Sequence, residues 1–157
     1  MNTIPVAFAF PVALHLLAST VWVGGMFFSL MVLRPCCLEL DPPLRVQVMS
    51  GAVRRFFKWV WVVVAVLLAT GYWMVATAFS GGIGWHVSAM LALGNLMAVL
   101  FLYAYLGPFR RLQKALASGS IAEAGQRLNS IRQLIQTNLA LGIVLVLSGS
   151  LGRYLGH

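Results

Sequence analysis

Acid is what this chain lacks most. It holds three Asp and Glu residues against eleven Lys and Arg, and charged residues make up only 9% of its 157 positions. A soluble domain carries about 25% charged residues, so there are too few here to cover a water-facing surface. The three acids, Glu39, Asp41 and Glu123, all fall outside the long apolar stretches. The stretches therefore contain none of the carboxylates that proton-coupled carriers place within the membrane. No Gly-x-Ser-x-Gly, His-Glu-x-x-His or phosphate-loop motif occurs, which leaves hydrolytic and nucleotide chemistry without their usual groups. Cysteine is nearly absent as well. Cys36 and Cys37 are adjacent, a spacing that bridges only with strain, and both are expected as free thiols in a reducing compartment.

What is present is hydrocarbon, 61% of all residues. Residues 4–33, 59–85, 87–109 and 133–152 contain no Asp, Glu, Lys or Arg. Each is long enough to cross a bilayer, which takes about 20 apolar residues in a helix. The expectation is an all-α integral membrane protein, one four-helix up-down bundle spanning residues 9–33, 59–79, 85–107 and 133–152. The first stretch lacks the basic start and small-residue cleavage site of a signal peptide. Arg34-Pro35 and Gly107-Pro108 are expected to end the first and third spans, because proline interrupts the helical hydrogen-bond ladder. Residues 80–84 read as a tight glycine turn and 118–120 as a break. No internal repeat is visible.

The net charge of +8 is distributed in a way that argues for a membrane and against nucleic acid. Arg34, Arg45, Arg54, Arg55 and Lys58 lie between the first two spans; Arg110, Arg111, Lys114, Arg127 and Arg132 lie between the last two; Arg153 is alone on the other side. Such bias places basic loops in the cytoplasm. It predicts a bacterial inner (plasma) membrane protein with both termini periplasmic, and the basic residues meet anionic headgroups.

Histidine within a span marks function more often than packing. His15 lies a few residues inside the first span and His86 at the start of the third, both toward the termini. His86, Met90 and Met97 share one helical face, as do His15, Trp22 and Met26. Imidazole and thioether, with Cys36 and Cys37 at the far end, form a donor set that suits Cu(I). Ordinary core packing explains the methionines equally well. The same two histidines allow a second site, with His15 and His86 ligating haem b from opposite faces. Trp22, Trp85 and Tyr72 would then wall the pocket, Ala18, Gly24 and Gly25 make room for it, and Arg153 meet a propionate. Alongside a metal ion or haem, the partners open to such a chain are the lipid bilayer, a second copy, or a larger membrane complex it serves as an accessory subunit.

Residues 14–25, Leu-His-Leu-Leu-Ala-Ser-Thr-Val-Trp-Val-Gly-Gly, resemble the LHLLAxxxWxGG motif of the CopD copper-resistance membrane family. Arg132, Asn138 and Leu141-Gly142 are similar to its late R-x5-N-x-x-L-G segment. This resemblance implies copper uptake or tolerance. A more distant resemblance joins His15, Trp22 and Gly84-Trp85-His86 to the HemJ-type haem-associated membrane proteins, although no Lys follows His86 here.

Overall fold

The computed structural model describes residues 6–78 and 84–155. Most of the expected 80–84 turn lies outside the described residues, as does His157. Every element among them is helical: α1 (Val6–Phe28), a wide π-helical turn (Ser29–Leu33), α2 (Arg34–Cys37), α3 (Pro42–Ala78), α4 (Trp85–Ala104), a second π-helical turn (Tyr105–Phe109), α5 (Arg110–Ala117) and α6 (Ile121–Leu155). Phe8–Cys37, Pro42–Thr77, Val87–Ala117 and Ile121–Ser150 are long and apolar enough to cross a membrane.

The helices do not stop at the prolines. The first helical run continues through Pro35 and the third through Pro108. The wide turns explain how. Proline has no N–H, and its ring clashes with the carbonyl four residues back. In the first wide turn the Arg34 N–H bonds Ser29 O, five residues back, and the loosened ladder admits Pro35 just beyond it. Pro108 sits inside the second wide turn. Inserted turns of this kind commonly mark functional or strained points in a helix.

Elsewhere the local chemistry matches the sequence. Asp41 starts α3: its carbonyl accepts the Arg45 N–H at 2.9 Å, and Pro42-Pro43 follow where no N–H is needed. Gly119 ends α5 at φ +72°. There Ser120 N–H reaches Ala115 O (2.9 Å) and Gly119 N–H reaches Leu116 O (3.2 Å), the paired bonds of a left-handed helix cap.

The element order reveals a repeat that the residues conceal. A span, a wide turn beside a proline, a short helix and a helix of 37 or 35 residues occur twice in succession. α1 packs mainly on α3 and α4 mainly on α6, while α3 and α4 meet only briefly. Toward the basic end the bundle is closed by rings. Phe57 lies 5.4 Å from Phe101 and 5.1 Å from Phe109, and Trp61 lies 5.3 Å from Phe101 and 5.4 Å from Tyr105. Leu112 of α5 and Ala124 of α6 are completely buried beyond that plug.

Gly24 and Gly25 play different parts. A Cβ at Gly24 would meet nothing within 4 Å, whereas at Gly25 it would collide with the Phe56 ring of α3. Gly25 therefore seats Phe56 and gives no room to a macrocycle. Gly25→Ala should destabilise the protein by about 1–3 kcal/mol, the range for overpacking, while Gly24→Ala leaves unfolding in detergent unchanged. Equal effects of the two substitutions would contradict this packing.

Candidate functional site

At the end of the bundle that carries the termini, α1, α3, α4 and α6 enclose a cavity of about 540 Å³. Its size lies within the range of small-molecule sites, about 300–1,000 Å³. His15, Trp22, Tyr72, Asn95, Met90 and Met97 are on its wall.

His15 is held in one orientation. Its Nδ1 lies 2.7 Å from Thr70 Oγ1, and Thr70 Oγ1 lies 2.7 Å from the carbonyl of Val66. A carbonyl cannot donate, so the threonine proton is committed to Val66. The remaining lone pairs of Thr70 then accept from Nδ1–H. That sets the tautomer: Nδ1 carries the proton, and Nε2 keeps an unprotonated lone pair. A partner that fixes one ring nitrogen so that the other can ligate is the usual arrangement around metal-binding histidine. Gly71 completes the seat, since a Cβ there would lie 3.4 Å from His15 Cε1.

The second half of the chain offers a thioether at the matching place. Met90 of α4 lies over Gly149 of α6, 3.6 Å from Sδ to a Cβ built there, as His15 of α1 lies over Gly71 of α3. Deeper in the bundle, the methyl groups of Met97 and Met26 converge on Gly142, 3.3 and 3.9 Å from a Cβ built there. Met97 lines the cavity; Met26, at 1% exposure, stands behind its wall. Asn138 is buried beside them and donates to Met97 O at 3.2 Å, while its own Oδ1 has no partner.

The other candidates are scattered. Trp22 is buried on the cavity wall. Tyr72 is half exposed and donates to Asn95 Oδ1 at 3.0 Å, bridging α3 and α4. Trp85 is exposed, outside the cavity lining. The side chains of His86 and Arg153 lie outside the described residues, although Val87 and Met90, which flank His86 on α4, face the cavity. Cys36 is exposed and Cys37 buried, so the two thiols point apart. Eleven residues separate Met26 from Cys37, about 16 Å of helix, and the aromatic plug occupies that depth. The structure thus brings His15, Met90 and Met97 to one cavity and leaves both cysteines away from it. Among the described residues, no three His, Cys, Asp or Glu side chains converge.

Thr70 and Asn95 belong to no motif in the sequence, yet both make contacts at the cavity. The signal was there for Thr70, a hydroxyl beside glycine in an otherwise apolar run. The helix facing His15 was not readable from the sequence.

Fold and site together define a multi-pass helical membrane protein with a cavity in one half of its bundle. The chain belongs to the CopD family, copper resistance protein D, whose pattern matches residues 50–151, about two thirds of its length. Membership implies a membrane protein of copper resistance or handling. The matched segment carries Thr70, Met90 and Met97 but begins after His15. No curated protein and no solved structure gives a significant match.

The tautomer has a direct readout. In ¹⁵N imidazole spectra of the purified protein, His15 should show a protonated Nδ1 and a bare Nε2. Thr70→Val should remove that preference without unfolding the chain. A wild-type ring protonated at Nε2 would refute the assignment.

Proposed function

We propose that this protein carries copper, as Cu(I), through the half of the bilayer next to its termini, with His15 Nε2 as the first ligand and the Met90 and Met97 thioethers as the next. The observation that supports the reading is the fixed lone pair of His15 in a cavity that also presents sulfur. A soft ion favours imidazole nitrogen and thioether over carboxylate oxygen, and no Asp or Glu is among the described residues that line this cavity. Copper is cargo in this scheme. The ten-to-one distribution of basic residues supports a bacterial inner membrane location with both termini periplasmic, which makes the cavity a periplasmic receiving site. His86, at the start of α4, would join as a further ligand. Met26 and the cysteines would serve a later stage, and passage to them requires the aromatic plug to part.

Cu(I) titration under anaerobic conditions, against a competing chelator, tests the proposal. His15→Ala should weaken binding at least tenfold, about 1.4 kcal/mol, and Met90→Leu with Met97→Leu should also weaken it. Stoichiometric binding at wild-type affinity in His15→Ala would sink the proposal.

The cavity volume favours a second reading. About 540 Å³ is far more than a bare ion needs, and the walls are mostly apolar. The cavity suits a haem b held by His15 and His86, which would supply one-electron chemistry at the periplasmic side. Gly25 would contribute no space to it. Protein from haem-replete cells should then show a Soret band that is lost in His15→Ala; a colourless, folded preparation would eliminate the haem.

A further inference from the structure

A second crevice lies at the opposite, basic end, between the first half of α3, α5 and the start of α6, with a volume of about 560 Å³. It shares no wall with the His15 cavity. Arg54, Gln47 and Gln113 contribute its polar side chains, together with Ser50, and Leu44 and Leu116 are among its apolar ones. The Ser50 proton is already given to Val46 O at 2.6 Å, so the available donors are the guanidinium and the two amides. Gln113 Nε2 is buried without a partner. A buried donor left unpaired costs about 1–3 kcal/mol, and the crevice offers it an occupant's acceptor.

The wider surroundings point the same way. The buried unpartnered side-chain atoms on this side are all N–H donors: Arg45 Nε, Gln113 Nε2, Arg127 Nε and Arg132 Nε. Glu123 is paired with Arg127 at 3.2 Å, and neither Glu39 nor Asp41 lines the crevice. The three carboxylates of the chain all lie at this end, against ten Lys and Arg. Depth adds a further restriction. Arg54 lies five residues before the apolar stretch that begins at 59, and Gln113 four residues after the one that ends at 109. At the helical rise these are about 7.5 and 6 Å from the ends of the charge-free stretches. That is where lipid phosphates lie.

We propose that this crevice is a phosphate-ester site, in which Arg54 and Gln113 bind the anionic oxygens of a phospholipid headgroup and the apolar wall takes the adjoining carbon chain. Guanidinium and amide donors match phosphate geometry. Free phosphate offers the same oxygens without the apolar part. The site is independent of the copper reading.

The test uses the full chain in a neutral detergent, with short-chain phosphatidylglycerol, the matching diacylglycerol, which lacks the phosphate, and inorganic phosphate as probes, binding being read by native mass spectrometry and thermal melting. Phosphatidylglycerol should bind the wild type roughly tenfold tighter than diacylglycerol, as expected for charge-assisted bonds, and should raise its melting temperature. Arg54→Gln with Gln113→Leu should abolish that preference, while Arg55→Gln, a basic neighbour outside the crevice, keeps it. Millimolar inorganic phosphate that displaces the lipid, or binds in its place, would make the source soluble phosphate; failure to compete assigns the site to lipid. Equal binding of the two lipids by the wild type with no effect of phosphate would overturn the proposal. So would an unchanged preference in a double variant that elutes as the folded protein. If the double variant does not fold, the selectivity and competition of the wild type decide the matter, together with Arg54→Lys, which should keep part of the preference.

Discussion

Hydrocarbon offers no hydrogen bonds, and that one constraint organises this protein. A polar group in a membrane span must find its partner inside the chain. The hydroxyls and the amide of Ser19, Thr20, Thr70, Thr77, Asn95 and Thr137 meet the demand locally, each donating to the carbonyl four residues earlier in its own helix. An imidazole on a longer stem finds its partner across the bundle, and His15 takes Thr70 of α3. The same rule explains the wide turns. Proline in a span would strand a carbonyl, and the local rewinding at Ser29–Leu33 and Tyr105–Phe109 takes up the irregularity.

Two similar halves build one cavity with unlike walls. In each half, the span packs on the long helix that follows it and lays a donor-bearing side chain on a glycine: His15 on Gly71, Met90 on Gly149. The half that supplies imidazole also supplies the hydroxyl that fixes it. The half that supplies thioether needs no such partner, because sulfur has no tautomer. Below this level the rings of Phe57, Phe101, Tyr105 and Phe109 close the bundle.

Much of this was legible in the sequence. The four apolar stretches, the asymmetric charge, the glycine stop at Gly119 and the shared face of Met90 and Met97 follow from composition and helical spacing. Where the helices end did not, because the effect of Pro35 and Pro108 depends on whether the nearby turn can widen. The element repeat was hidden because lipid asks only for apolar side chains, so equivalent positions such as His15 and Met90 keep no common residue. The pairings of His15 with Thr70 and of Gly25 with Phe56 depend on which helices are neighbours. Cys36 and Cys37 are free thiols as expected, but successive helical residues point about 100° apart, and the two are accordingly split between surface and interior.

X-ray absorption at the copper edge of the Cu(I)-loaded protein tests the central claim most directly, because it reads the ligand atoms themselves. The account predicts a first shell of one imidazole nitrogen with thioether sulfur, and loss of the imidazole signature in His15→Ala. A shell of sulfur alone, or of light atoms alone, would contradict it.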